Sequence, residues 1–188
     1  MREGYTGHLI ERELFGEINK RKYKEALQKN YEIPSAVFDN FELFVKESWK
    51  KISLEKSLAL AKEAQPEDSD PTEPTPRFAG DLYAYVAEEL GFKKEDDFKK
   101  LRFYTAVRSH ADQRGVDAFF ELDTARETIF VTLDVTGNPK KGDEWRADVV
   151  FEWPMDGLDP KLDKEEWARK TREIADRVIY EIQKRGGK

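Results

Sequence analysis

"GVDAFFELDTARETIFVTLDVTGNPKKGDEWRADVVFEW", residues Gly115 to Trp153, decides the fold. Apolar and polar residues alternate through it at the period of two that puts successive side chains on opposite faces of a sheet. Val116, Ala118, Phe120 and Leu122 share one face of a first strand; Ile129, Val131, Leu133 and Val135 share one face of the next. Ala147, Val149, Phe151 and Trp153 do the same in a last strand. Each strand also carries an aspartate (Asp117, Asp134, Asp148), a residue that strands disfavour because its short polar side chain prefers turns and caps.

Upstream, "LRFYTAVR" (Leu101 to Arg108) adds a strand with Leu101, Phe103, Thr105 and Val107 on one side. The prediction is a four-stranded, mainly antiparallel meander with one covered face. A helix over about residues 163–185 places Trp167, Thr171, Ile174, Val178 and Ile182 on one stripe and is expected to pack on that face. Residues 79–90 read as another helix, stopped at Gly91. The fold class is therefore α+β.

The first third of the chain reads as helical, over residues 8–31 and 36–63, with Pro34 between them and Ser35 as an N-cap. "AQPEDSDPTEPTPR" (Ala64 to Arg77) holds four of the eight prolines. Proline fixes φ and removes a backbone donor, so an extended, mobile linker is expected there. The predicted organisation is a helical segment over 1–63, an acidic proline-rich linker over 64–77 and an α+β domain over 78–188.

The net charge of −6 is concentrated: residues 64–98 contain 3 basic and 10 acidic side chains, while the remainder is close to neutral. Coating a nucleic acid by charge alone is thereby disfavoured. The absence of cysteine excludes disulfides and thiolate-bound zinc. The first residues lack the apolar run of a signal peptide, and no stretch is apolar for long enough to span a bilayer; a cytoplasmic protein without a membrane partner is expected.

Register brings the aspartates together. A tight hairpin around "DTARE" pairs Leu122 with Ile129 and Phe120 with Val131, which sets Asp117 across from Asp134. An antiparallel pairing of Leu133 with Val149 sets Asp134 across from Asp148. Like charges directly opposed destabilise a sheet by about 0.2–1 kcal/mol per pair. A divalent cation compensates, since carboxylates bind Mg²⁺ or Mn²⁺ readily; neighbouring Arg and Lys side chains are the other means. A simple solvated face of mixed charge, also holding Arg102, Glu121 and Glu152, is the alternative.

This stretch resembles the PD-(D/E)XK nuclease superfamily, the restriction-endonuclease-like fold. "GVD", ending at Asp117, is similar to the first acid of that motif, and "TLDVTGNPKK" places Asp134 in the second acidic position. "GHLIEREL" (Gly7 to Leu14) resembles the opening of archaeal resolvases and offers Glu11 as a further acid; Glu88 or Glu89 would be the alternatives. The position two after Asp134, where the family carries lysine, is Thr136, so Lys140 or Lys141 would have to reach back.

The resemblance implies Mg²⁺- or Mn²⁺-dependent hydrolysis of DNA. Asp117 and Asp134 would hold the metal with Asp148 and Glu11, Lys140 and Lys141 would take the catalytic lysine's part, and Arg108, Arg114 and Arg146 would contact phosphates. Two other expectations stand beside it: a nuclease-like fold that binds nucleic acid without cutting it, and a module that meets a protein partner or a second copy through residues 1–63. His110, beside Ser109, reads as a loop residue.

Overall fold

The computed structural model describes residues 6–136 and 147–186. Lys140, Lys141 and Arg146 lie outside the described residues. The strands β1 (Leu101–Thr105), β2 (Ala118–Asp123), β3 (Thr128–Thr136) and β4 (Val149–Glu152) form a single sheet in that order. The helices are α1 (Thr6–Phe15), α2 (Lys20–Tyr31), α3 (Phe41–Ser48), α4 (Leu54–Glu63), α5 (Arg77–Glu89), a single turn α6 (Glu95–Phe98), and α7 (Lys164–Gly186).

The β2–β3 hairpin has the expected register, with Phe120 across from Val131 and Leu122 from Ile129. β4 does not. It runs parallel to β3, pairing Leu133 with Val149 and Asp134 with Val150. Three strands are thus an antiparallel meander and the fourth joins it in the opposite sense, making the sheet mixed. The row of three aspartates is interrupted: Asp148 sits beside Thr132 instead, accepting from its backbone N–H and its hydroxyl at 2.8 Å each.

Both faces of the sheet are used. The face carrying Phe103, Phe120, Leu133 and Phe151 packs against α1, α5 and α7 in one core. Phe78, Trp153 and Trp167 form its aromatic centre, with ring centroids 4.9 Å (Phe78–Trp153) and 5.4 Å (Trp153–Trp167) apart and edge-to-face geometry. The Trp167 indole N–H donates to Asp81 at 2.8 Å, which ties α7 to α5. On the other face, Tyr104 and Phe119 join Tyr23, Leu27, Phe41 and Leu60 in a second core built by α2, α3 and α4. Burial of each such Phe or Leu contributes about 1.5–3 kcal/mol. Glu121, expected on a solvated face, is buried there and is ion-paired with Arg102 at 2.7 Å and with Lys62.

The helical segment is therefore continuous with the sheet through both cores. Its first long helix is split where Gly16, at φ +74, takes a conformation that L side chains rarely adopt. Its second is split before Ser53, whose hydroxyl caps α4 by accepting from Lys56 N at 3.3 Å.

The proline-rich segment is docked. It runs along the free edge of β1, where Phe103 N–H donates to the Pro71 carbonyl at 2.8 Å. The Gln65 amide brackets Thr105, accepting from its N–H at 3.1 Å and donating to its C=O at 2.8 Å. An unpaired strand edge invites association with other chains, and this segment covers it. Gln65→Ala leaves two strand groups without these partners and is expected to lower unfolding stability by about 1–3 kcal/mol. Urea denaturation reads this directly; an unchanged midpoint would mean that the edge is satisfied by water.

Candidate metal centre

The site begins with α1. Leu14 and Phe15 are buried in the first core. Glu11 lies one turn earlier, at the i−3 and i−4 positions that share their side of the helix. Anchoring Leu14 and Phe15 thus fixes where Glu11 stands.

The second contribution comes from the loop between β1 and β2. It is closed at its base by Ala106 N–H donating to Asp117 C=O at 2.7 Å. Inside it a 3-10 turn spans Asp112–Arg114, and Gly115 follows at φ +75. The Asp112 carboxylate accepts from Arg108 N–H at 2.6 Å. Arg108 itself adopts φ 71, a conformation uncommon outside glycine and one that concentrates at functional sites.

Asp117 stands where the loop enters β2. Only 2% of its surface is exposed. Its carboxylate accepts from Val135 N–H at 2.8 Å, joining it to β3. One step beyond the Ala118–Leu133 pair, it faces Asp134, which is also buried.

Glu11, Asp112 and Asp117 converge: one carboxylate oxygen from each lies within 4.8 Å of the others. Burial, and then the charges of Glu11, Asp112 and Asp134, push the Asp117 carboxyl well above its ordinary value; the bond from Val135 N–H opposes them. Oxygen ligands of this kind suit a hard divalent cation such as Mg²⁺ or Mn²⁺. Ligand oxygens about 2.1 Å from such an ion lie at most about 4.2 Å apart, so the three acids need only a slight contraction to share one.

Of the residues singled out from sequence, Glu11 and Asp117 are brought together, and Asp134 lies beside them as a buried charge. Asp148 is not part of this group. Its position follows from the parallel direction of β4, and its carboxylate is clasped by Thr132 and by the Arg185 guanidinium near the end of α7. Arg108 is close, with its guanidinium 3.1 Å from Glu17. Arg114 turns the other way: it donates to the carbonyls of Trp49 (2.8 Å) and Ile52 and lies 5.1 Å from the Trp49 ring centroid. It braces the helical layer, which corrects its expected role at a phosphate. Asp112 was not anticipated. It lies in a loop, where no periodicity marks position, and its only sequence signal is its place five residues before Asp117.

His110, also in this loop, is fully buried. Its Nδ1 lies 2.9 Å from the Tyr23 hydroxyl and its Nε2 lies 2.9 Å from the Ser48 hydroxyl. Ser48 donates to Phe44 C=O at 2.5 Å, so its oxygen is left to accept from Nε2–H, and Nδ1 accepts from Tyr23. Burial, reinforced by the Arg114 charge, lowers the imidazole pKa to about 4.

Among the described residues, no helix is long and apolar enough to cross a membrane. No family model, curated protein or solved structure matches the chain.

Proposed function

We propose that the protein is a divalent-cation-dependent nuclease that hydrolyses DNA phosphodiester bonds at the Glu11, Asp112 and Asp117 cluster. The observation that carries this reading is the convergence of three carboxylates, one of them held against its own ionisation first by burial and then by the charges around it. The similarity of "GVD" and "TLDVTGNPKK" to the PD-(D/E)XK motif gives that cluster its reaction class.

Bound there, Mg²⁺ or Mn²⁺ would polarise the scissile phosphate and lower the pKa of a water molecule. The chain's own residues do the rest. Glu11, Asp112 and Asp117 supply the ligand oxygens, and Asp134 adds negative charge behind them. Val135 N–H fixes the Asp117 carboxylate in place, and Arg108 N–H fixes that of Asp112. The exposed Arg108 guanidinium, paired with Glu17, would exchange that partner for a backbone phosphate. Lys140 or Lys141 would supply positive charge to pair the negative charge that builds on the phosphate as it is attacked.

Thr136 at the motif's lysine position favours a second reading, in which the cluster binds a cation and nucleic acid without cutting. Incubating plasmid and single-stranded DNA with the protein in Mg²⁺, in Mn²⁺ and in EDTA separates the two. Cutting in either metal, abolished by EDTA, is the expected result. Intact DNA in all three, alongside metal-dependent retention on a filter, would instead establish the non-cutting reading.

A further inference from the structure

We propose that His110 is a positioning residue: through its hydrogen bonds to Tyr23 on α2 and Ser48 on α3, it holds the β1–β2 loop so that Asp112 meets Glu11 and Asp117. This deepens the cation-site reading and rests on it.

Within the loop the Asp112 carboxylate is held by Arg108 N–H, a bond that ties it only to the loop itself. The loop backbone is closed by short-range bonds, among them Ser109 N–H to Ala106 C=O at 2.9 Å, Arg114 N–H to Ala111 C=O at 2.9 Å and Gly115 N–H to Asp112 C=O at 2.8 Å. These give it a compact shape but do not attach it to anything outside. External attachment near Asp112 comes on both sides: Arg114, two residues later, donates to the Trp49 and Ile52 carbonyls, and His110, two residues earlier, is held at both ring nitrogens. Its ring stacks on Tyr23, with centroids 5.8 Å apart and planes 25° apart, and meets Phe44 edge-on at 5.7 Å. The Tyr23 oxygen also accepts from His110 backbone N–H at 3.1 Å, so one hydroxyl grips both the ring and the main chain.

The bonds form a directed chain. Tyr23 O–H donates to Nδ1, Nε2–H donates to Ser48 and Ser48 O–H donates to Phe44 C=O. Every member has one definite role, and the imidazole is locked in one tautomer and one orientation. A loop fixed in this way presents Asp112 without the entropy of a mobile ligand. Outer groups that orient metal ligands in this manner typically change metal affinity by about 10–100-fold when removed.

The helical segment thereby acquires a part in the site beyond supplying Glu11. α2 and α3 contribute no ligand, yet their two hydroxyls set the geometry of one.

The test is Mn²⁺ affinity, read by the loss of the free-ion EPR signal on titration, so that no cleavage is required. Tyr23→Phe removes one hydroxyl and keeps the ring. Ser48→Ala breaks the other bond, and Ser48→Thr restores a hydroxyl. Tyr83→Phe is the control: it deletes a buried hydroxyl bonded to Phe98 and Leu101 carbonyls, remote from Asp112. The expected result is about tenfold weaker Mn²⁺ binding for Tyr23→Phe and Ser48→Ala, recovery in Ser48→Thr and no change in Tyr83→Phe. Wild-type binding with Tyr23→Phe and Ser48→Ala within twofold of it would overturn the positioning role and leave the nuclease reading standing. Equal weakening by Tyr83→Phe would also overturn it, because general loosening would then explain the effect. Failure of the wild type itself to bind Mn²⁺ would remove the cation site and the inference with it.

Discussion

Under the proposed nuclease reading, Asp117→Asn is expected to abolish metal-dependent cleavage, with a loss of at least about 10²–10³-fold, while making the metal-free protein more stable. The two effects share one cause. Asp117 is buried and faces Glu11, Asp112 and Asp134, so its folded-state pKa is raised above the unfolded value. The folded protein then holds that proton to a higher pH than the unfolded chain does. Stability from this group is fully present below the ordinary carboxylate pKa and is lost as pH rises through the raised one. Asparagine cannot ionise, and its carbonyl oxygen still accepts from Val135 N–H.

Each kcal/mol recovered raises the melting temperature by about 2–4 °C in a chain of this size. The advantage of the variant should widen from pH 4 towards neutrality. Added Mn²⁺ should stabilise the wild type and leave Asp117→Asn unmoved. A variant that melts below the wild type at pH 7 would show that the carboxylate is stabilising in the folded protein, which the repulsion argument forbids.

Acid should release the helical layer through His110. Its imidazole titrates near 4 in the folded protein and near 6.5 when unfolded. Below pH 6.5 the unfolded chain takes up a proton that the folded protein refuses, so stability falls as pH drops through that window. The expected loss is about 2 kcal/mol at pH 5 and about 3 kcal/mol at pH 4. Carboxylates titrate over part of the same range, so the difference between wild type and His110→Gln isolates the histidine. That difference should shrink steadily between pH 7 and pH 4. A constant difference would mean that the folded protein takes up the proton as readily as the unfolded chain does, with Nδ1–H then donating to Tyr23 and Nε2–H still donating to Ser48.

The β2–β3 hairpin could be read from sequence because a one-residue slip there would carry Phe120 and Val131 out of the core. The direction of β4 could not. Alternation at period two looks the same from either end, and the Leu133–Val149 pair occurs in both the expected antiparallel arrangement and the observed parallel one. Direction alone moved Asp148 away from Asp134. Glu11 and Asp117, paired in the sequence reading by motif resemblance, do lie together in the fold. The positions of Asp112 and His110 were not legible, because they depend on which helices cover the loop, and sequence patterns describe elements one at a time. The proline-rich segment misled for a related reason. Its composition favours an extended backbone, but an extended backbone is also what a strand edge needs as a neighbour, and Gln65 supplies the attachment.

The position of α1 also orders events during synthesis. Glu11 leaves the ribosome roughly 5–20 s before Asp117 at ordinary elongation rates. The side chains that seat α1, including Phe151 and Trp153, emerge later still. Phe15 meets Phe78 and Phe103 as well as Phe151, so the seat of the first helix fills in stages and is complete only once almost the whole chain has emerged. A polypeptide that stops short of Asp112 would present Glu11 without its two companions.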